Sequence, residues 1–378
     1  MQKPRAALIP FFVVLAALLL ADAPAAADGG PPPSAWTPAG PMATLHSDAA
    51  VAQLPDGDAL VVSGSTLGGP ITAAERYDAA TDSWSPAGDL ATARAKATAT
   101  TLADGRVLVV GGRAGAGVLA SAELFDPATG LWTAADSLAQ ARSEHTATLL
   151  GDGTVLVAGG TDGNGTVFAS AERYDPATDT WTPAPAMATG RVWHSATRLA
   201  DGSVVVTGGA AQVMGPMTAS VERFDPATAT WTALPSLPQA RAQHATLALP
   251  DGALLVVGGI DGGAFSIPRV TVRLDPGAAS WSTIAPATFN AIAAAALPNG
   301  LVLLVQSDAA KLLDPASGQL ADAGILPGFR LAPALLPLSG GELLVVGGSS
   351  LGDAQPVRFT PRPHPLIAPS AFGDQTVG

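Results

Sequence analysis

The chain has 378 residues, a formal net charge of −12 and no cysteine. The lack of cysteine excludes disulfide bonds and every activity that depends on a thiol. An acidic chain without a basic cluster is also a poor candidate for binding nucleic acid or an anionic membrane, so we expect neither as a partner.

The first segment has the pattern of a secretory signal peptide. Lys3 and Arg5 precede an apolar run from Ala6 to Leu20, and three alanines that end at Ala27 offer a cleavage site. We therefore expect residues 1–27 to be removed and the protein to be secreted or periplasmic. The apolar run is too short for a membrane span. Residues 28–35, rich in Gly and Pro, are predicted to form a flexible leader.

One motif then recurs along the chain. An apolar run that ends in a Gly-Gly doublet, such as Val107 to Gly112, returns at intervals of about 50 residues, with degenerate copies near both ends. This period is typical of a β-propeller rather than of several separate domains. The copies end at Gly64, Gly112, Gly160, Gly209, Gly259, Ser307 and Gly348.

Each repeat supplies four strand-sized segments, which we name a to d. Strand a is an apolar alternation such as His145 to Leu150, and the Asp-Gly pair after it indicates a two-residue type I′ turn. Strand b is the run that ends in Gly-Gly, strand c is a segment such as Ala122 to Pro127, and strand d begins at a tryptophan. We expect these rings to form core between blades. They are Trp36, Trp84, Trp132, Trp181, Trp231 and Trp281, with Leu320 in the remaining repeat.

The order of the segments predicts how the ring closes. Trp36 precedes the first strand a, whereas the last repeat ends in strand c at Val357 to Phe359 with no tryptophan after it. We therefore predict an all-β, seven-bladed propeller of four-stranded antiparallel blades, in which the N-terminal strand near Trp36 completes the seventh blade. Closure removes exposed sheet edges, and we expect a monomer.

The repeats resemble the Kelch family. A Gly-Gly doublet, Glu-x-Tyr/Phe-Asp-Pro-x-Thr, a tryptophan and Arg-x-x-His follow one another most clearly in blades one to four. The resemblance covers residues 36–360 and weakens where Val272, Lys311 and Val357 replace the Glu. The Pro-rich tail, residues 361–378, lies outside it and is expected to be disordered or a tether. Copper radical oxidases that share this propeller use a crosslinked Cys and Tyr pair, so the lack of cysteine excludes that activity.

The Glu of strand c and the Arg that opens the next strand a vary together. We interpret them as ion pairs between successive blades, for example Glu123 with Arg142. The resemblance implies an alternative, because Arg at this position in Kelch domains that bind acidic peptides often faces the partner. Arg142 and Arg191 are therefore candidate ligand-binding residues. The four successions are Glu75 and Arg94, Glu123 and Arg142, Glu172 and Arg191, and Glu222 and Arg241.

One position changes its chemistry from blade to blade while its neighbours follow the repeat. We call it the variable position, and it lies two residues after the Arg. Because the fold does not require one residue type there and the position lies near the channel mouth, we expect it to determine which ligand the propeller binds. Trp193 is expected to anchor a sugar ring or a peptide; the alternative is surface drift, with Trp193 filling a local gap. The residues are Asp48, Lys96, Glu144, Trp193, Gln243, Ala291 and Ala332.

Metal binding and catalysis have weaker support. His145, His194 and His244 occupy one position on the innermost strands and could hold a metal, although Kelch repeats commonly carry a structural His there. The loop from Asp162 to Thr166 has the alternating oxygens of a calcium site, lacks the later acidic ligand, and is also a good turn. No Ser lies in a Gly-x-Ser-x-Gly elbow. We assign no catalytic residue, no metal and no cofactor.

Two functions remain open. The first is a non-enzymatic module that binds a protein or a carbohydrate through the loops at one mouth of the propeller. The second is a periplasmic sugar-modifying enzyme, similar to the Kelch-type sialic acid mutarotases, which would need an acid and a base in the channel mouth. Glu144 beside Arg142 and His145 is the local cluster that could serve.

Overall fold

The computed structural model describes residues 34–44, 46–115, 117–261, 270–285, 289, 291–330, 333–348 and 355–361. Every regular element in these ranges is a β-strand, and the strands form seven four-stranded antiparallel sheets. Strands a, b, c and d are hydrogen-bonded in that order within each sheet. Strand a of every blade contacts strand a of both neighbouring blades, including blades seven and one. The prediction of a closed seven-bladed propeller is confirmed.

The strand bounds follow from blade one to blade seven. Strand a is Ala50–Gln53, Thr98–Thr101, Thr146–Leu149, Ser195–Arg198, Ala245–Ala248, Ala293–Ala296 and Ala334–Pro337. Strand b is Ala59–Val62, Val107–Val110, Val155–Ala158, Val204–Thr207, Leu254–Val257, Val302–Val305 and Leu343–Val346. Strand c is Ala73–Asp78, Ala122–Asp126, Ala171–Asp175, Val221–Asp225, Thr271–Leu274, Ala309–Leu313 and Val357–Pro361. Strand d is Ser83–Asp89, Leu131–Ala135, Thr180–Ala184, Thr230–Leu234, Ser282–Ala285, Leu320–Ile325 and Ser34–Pro38.

The turn between strands a and b differs from the prediction. In blade one the amide of Gly57 donates to the carbonyl of Leu54, and the amide of Leu54 donates to the carbonyl of Asp58. The loop therefore has three residues, and within it Gly57 has a positive φ of 90° whereas Asp56 does not. This is a type I turn followed by a left-handed glycine, not a two-residue type I′ turn. Only the glycine of the Asp-Gly pair needs the left-handed region.

The core lies between the blades. Each of the seven hydrophobic clusters joins the strands b and c of neighbouring blades, and all four residues of every strand b are buried. A strand buried on both faces reads as a continuous apolar run, which explains the sequence of strand b. The stability of the ring therefore depends on contacts between neighbouring blades.

The strand-d tryptophans join each blade to the preceding one, but most are only half-buried rather than core. The ring of Trp132 lies 5.0 Å from that of Phe125 in strand c of the same blade. Its Nε1–H donates to the carbonyl of Ala87 in blade one at 2.8 Å. An aromatic body with a polar tip suits this place, because one side packs and the indole N–H reaches a main-chain acceptor.

The N-terminal strand completes blade seven, as the sequence predicts. Ser34–Pro38 pairs with Val357–Pro361, and Trp36 stands opposite Phe359 with 4.8 Å between ring centroids. The strand begins at Ser34, within the segment 28–35 that the sequence assigns to the leader. Residues 1–27 and 362–378 lie outside the described residues. None of the described residues forms a helix that could cross a membrane.

Two sets of loops lie at one end of strands a and b, and we call that end the mouth face. It carries the loops from strand b to strand c and from strand d to strand a. In blades one and two the first kind of loop contains a short hairpin, Ser65–Thr66 with Gly69–Pro70 and Arg113–Ala114 with Gly117–Val118.

Candidate functional site

The buried arginines form ion pairs within a blade, which corrects the prediction of pairs between blades. Arg94 Nη2 lies 2.7 Å from Glu123 Oε1, and Arg142 Nη2 lies 2.7 Å from Glu172 Oε1. Arg191 pairs with Glu222 in the same way. The Arg and Glu of one blade stand at the mouth ends of strands a and c, on either side of strand b. Glu123 is therefore held by Arg94, not by Arg142.

These pairs remove Arg142 and Arg191 from the candidate ligand-binding residues. Both side chains are completely buried, so no ligand at the mouth can reach them. Burial lowers the pKa of Arg142, and Glu172 opposes that shift. In the local cluster of Glu144, Arg142 and His145, the guanidinium of Arg142 binds Glu172 and His145 Nε2 lies 3.0 Å from Thr98 Oγ1, so neither group is directed at Glu144.

Other blades vary this arrangement. In blade one His46 Nε2 takes the place of the guanidinium, 3.1 Å from Glu75 Oε1. In blade six the ammonium of Lys311 lies 5.9 Å from the centroid of the Phe289 ring. Arg241 and Arg330 face no Glu in strand c, and burial lowers the pKa of each to about 10. Asp261 opposes the shift at Arg241.

The three repeated histidines are structural in their contacts. His145, His194 and His244 are buried, and each Nε2 hydrogen-bonds to a threonine Oγ1 of the preceding blade. Burial lowers the pKa of His145 and of His244 to about 3, so both rings are neutral near pH 7. In the part of the chain that the structure describes, no group of three or more His or acidic side chains is arranged to hold a metal ion.

The candidate calcium loop is a hydrogen-bonded turn. Asp162 Oδ1 accepts the amides of Asn164 at 2.8 Å and of Thr166 at 3.0 Å. Hydrogen bonding by Thr166 lowers the pKa of Asp162 below its usual range. These contacts engage one oxygen of the carboxylate that would have led the metal site.

The fold constrains the backbone conformation at the variable position, contrary to the expectation that it imposes no requirement there. Its backbone lies in the left-handed region in five consecutive blades, with φ of 52° at Asp48, 56° at Lys96, Glu144 and Trp193, and 54° at Gln243. That conformation costs a residue with a side chain about 1–2 kcal/mol, and glycine avoids the cost. Side chains retained at a strained position point to a role for them.

Main-chain hydrogen bonds bring the variable positions of neighbouring blades together. The amide of Lys96 donates to the carbonyl of Asp48 at 3.0 Å, and the amide of Gln243 donates to the carbonyl of Trp193 at 2.8 Å. Because equivalent positions of successive blades are related by rotation about the ring axis, the five positions lie side by side at the mouth, and we call them the mouth arc: Asp48, Lys96, Glu144, Trp193 and Gln243. Ala291 of blade six is buried, and Ala332 lies outside the described residues.

Two side chains of the mouth arc form an ion pair across blades. Lys96 Nζ lies 2.5 Å from Glu144 Oε1. Burial alone would lower the pKa of Lys96, but the charges of Glu144 and Asp48 outweigh it and raise the pKa. Asp48 and Gln243 are exposed, and Trp193 is partly exposed. The arc thus presents charged, amide and aromatic groups side by side.

Trp193 differs from the other six tryptophans in its indole N–H. Five of them donate this proton to a carbonyl of the preceding blade, and that of Trp84 is buried without an acceptor. The N–H of Trp193 has no acceptor among the described residues, and it is not buried. The indole N–H of Trp193 therefore makes no hydrogen bond within the propeller and is available to a ligand at the mouth.

A groove extends from the mouth arc between the loops of blades one to three. Its volume is about 590 Å³, and Asp48 and Lys96 line its inner end. Arg113 and Asn164 line its outer part, and Arg113 forms no ion pair with any described residue. The volume falls within the range of about 300–1,000 Å³ that is usual for ligand sites.

Exposed apolar side chains surround the mouth. Leu67 at the hairpin tip of blade one is 98% exposed, and Val213 and Met214 in the equivalent loop of blade four are 40% and 59% exposed. Phe329, which precedes Arg330 as Ala141 precedes Arg142, is 51% exposed. Sequence reasoning missed these residues and Arg113. For Arg113, Leu67, Val213 and Met214 the differing lengths of the loops after Gly-Gly were the available signal, whereas Phe329 lies in a loop from strand d to strand a.

Comparison with solved structures supports the fold. A fungal alcohol oxidase described as having catalytic diversity among the AA5 family, in complex with copper, matches with a TM-score of 0.68 and 19% identity. The match covers 86% of this chain and 76% of the oxidase. At this identity the likeness shows a shared propeller and nothing about activity.

Sequence comparisons identify the family. No curated protein gives a significant match. The family model described as the KLHDC2/KLHL20/DRC7 Kelch-repeats domain matches residues 98–296, more than half of the chain. Together with the seven blades, this match shows that the chain belongs to the Kelch-repeat propellers of that family.

Proposed function

We propose that this protein is a binding module that engages a protein partner through its mouth face, with Trp193 as the central anchor. Kelch propellers serve in general as protein-interaction modules, which supports a binding role. The observation that carries the proposal is the indole of Trp193: it is partly exposed, its N–H is free, and its backbone is held in the left-handed region. Tryptophans of this kind contribute much of the energy of protein interfaces.

The surroundings of Trp193 favour a protein over a free sugar. Leu67, Val213, Met214 and Phe329 expose apolar side chains on the same face. Exposed apolar groups around a polar centre are typical of protein-binding surfaces. A saccharide would use the indole and the polar groups of the arc but would leave these four side chains in water.

The test compares two variants on peptide and glycan arrays, followed by titration of the ligands found. Trp193→Ala should weaken binding by about thirtyfold, the equivalent of about 2 kcal/mol, and leave the melting temperature nearly unchanged. Leu131→Ala is the matched control, because Leu131 is 62% exposed at the turn between strands c and d, away from the mouth loops. An equal loss in both variants, or unfolding of Trp193→Ala, would contradict the proposal.

We also propose that the protein acts outside the cytoplasm. The support is the sequence pattern of residues 1–27. Determining the N-terminus of the protein recovered from its native host tests this proposal: Asp28 as the first residue is expected, and an intact Met1 would exclude cleavage.

A further inference from the structure

We infer that the mouth face recognises a cationic segment, in which a lysine or arginine side chain lies against Trp193 and Glu144 while flanking apolar side chains contact the rim. This inference rests on the proposed function and adds the chemistry of the partner. It differs from a mouth lined by arginines, because the arginines that open strand a in blades two to five and seven are buried.

Unpaired charge within the mouth arc is negative. Lys96 pairs with Oε1 of Glu144, which leaves Oε2 without a partner among the described residues. Asp48, on the other side of Lys96, is exposed and forms no ion pair in the described part of the chain. The three charges therefore sum to one negative charge. The buried arginines beneath the arc also face acidic groups: Arg142 pairs with Glu172, Arg191 pairs with Glu222, and Arg241 faces Asp261.

Among the described residues of the mouth loops, the charged side chains outside the arc that are not buried also sum to a negative charge. Asp162 and Asp308 lie in these loops, and Arg113 is the opposing cation at the outer end of the groove. The whole chain carries −12, so its field attracts cations and repels a second copy of itself. A basic partner is therefore favoured over self-association.

The other end of the blades also carries carboxylates, and most of them have partners in or beside their own turns. In blades one, three, four and five the aspartate of the turn between strands a and b pairs with an arginine of strand c, as Asp201 does with Arg223, and in blade two Asp104 pairs with Arg106. The aspartates that end strand c in blades one to four form no ion pair with a described residue and accept main-chain amides of the turn, as Asp225 does from Ala227. The mouth therefore differs from this end in the partly exposed ring of Trp193 beside its carboxylates, rather than in unpaired carboxylates as such.

An aromatic face beside a carboxylate is a chemically suitable site for a cation. A guanidinium or ammonium over a tryptophan is attracted by the negative face of the ring, and more strongly when it is shielded from water. The exposed side chains of Leu67, Met214 and Phe329 favour a peptide over a small organic cation, because only a chain of several residues could reach them as well.

The experiment uses the full chain and three labelled synthetic peptides. One alternates lysine with leucine, one has glutamate in place of each lysine, and one has serine there. Binding is measured by fluorescence anisotropy for the unaltered protein, Trp193→Ala, Glu144→Gln, Asp48→Asn and Asp152→Asn. The last variant is the matched control, because Asp152 is a carboxylate at the opposite end of the blades.

The lysine peptide should bind best, and salt should weaken it. Glu144→Gln and Asp48→Asn should each weaken it about fivefold, and Asp152→Asn should not. If the glutamate or serine peptide binds as tightly and depends on Trp193, the inference fails and the proposed function stands. If glycans alone bind, or no peptide binds, the cationic partner is excluded. If Trp193→Ala leaves the binding affinity unchanged, or if Asp152→Asn weakens binding as much as the variants at the mouth do, both the inference and the proposed function fail.

Discussion

At the scale of single residues, the buried arginines share hydrogen bonds to main-chain carbonyls, and only some of them also pair with a glutamate. Arg94 Nη1 donates to the carbonyl of Gly111 at 3.0 Å and to that of Ser121 at 2.9 Å, besides its pair with Glu123. Arg241 and Arg330 keep the bond to the equivalent glycine, although no Glu faces them. The arginine therefore fastens the mouth end of strand b to strand c, and the glutamate neutralises it.

A double-mutant cycle tests the corrected pairing. Glu123→Ala and Arg94→Ala should each destabilise the protein by about 3–5 kcal/mol, because each leaves a buried charge without its partner. Their coupling should be about 0.5–3 kcal/mol in urea unfolding. The cycle of Glu123→Ala with Arg142→Ala is the control and should be additive. Coupling in the control cycle together with additivity in the first cycle would instead support an ion pair between blades.

The sequence predicted the members of these pairs but not their partners. Glu123 is closer in sequence to Arg142 than to Arg94, and the Arg and Glu positions co-vary better between repeats than within them. The co-variation misled because Arg241 and Arg330 keep their main-chain bonds although no Glu faces them. The separation misled because strand b, which lies between the paired Arg and Glu, lengthens the chain between two residues that are neighbours in the blade. The left-handed backbone of Trp193 could not be foreseen either, because a bulky side chain normally argues against that conformation.

At the scale of an element, the Gly-Gly doublet ends strand b where the chain passes closest to the next blade. Gly111 has φ of 65°, and a Cβ on it would lie 2.5 Å from the carbonyl oxygen of Arg142 and 2.7 Å from Cε1 of His145. The doublet is thus required by both backbone conformation and space. Its repetition made the propeller readable from the sequence.

The two requirements can be separated by a pair of substitutions. Gly130→Ala places a side chain at φ of 70° with nothing within 4 Å of its Cβ, and should cost about 1 kcal/mol. Gly111→Ala adds the steric conflict and should cost about 1–3 kcal/mol more. Unfolding free energies from urea titrations compare them. Equal costs would show that the close approach between blades two and three relaxes freely.

At the scale of the whole molecule, stability depends on closing the ring. The strand Ser34–Pro38 supplies the outer strand of blade seven, Trp36 covers Phe359, and its Nε1–H donates to the carbonyl of Ala323 in blade six at 2.8 Å. Without this strand, Val357–Pro361 would become an open edge, and open edges recruit other chains.

Two truncated chains test the closure. A chain that begins at Ala39 should melt at a markedly lower temperature and associate with itself, because it loses the contacts of Trp36, worth about 3–5 kcal/mol, and exposes the edge. A chain that begins at Ser34 is the control and should match the longer protein. A synthetic peptide of residues 34–40 should restore the shorter chain by adding a strand. Equal melting temperatures for the two chains would refute this role.

The number of blades and the order of strands were predictable because the same strand motifs recur in every repeat. The closure was predictable because the first strand d precedes the first strand a. The mouth was predictable only in part. The variable position identified the mouth arc, but its contacts depend on which side chains of neighbouring blades meet, as Lys96 and Glu144 do. That information is not contained in the period of a repeat.

The pairing of Ser34 with Pro361 places the first and the last described residue of the propeller at one corner. The other six blades cross the same corner with a short turn between strands c and d. Blade seven therefore differs from the others only in lacking a covalent connection between strands c and d. A short linker from Pro361 to Ser34 would make the propeller a circular chain, and new termini could be introduced at any of the six turns. Because all these corners lie away from the loops of the mouth face, a support attached at Ser34 or at Pro361 would hold the propeller with its mouth unobstructed.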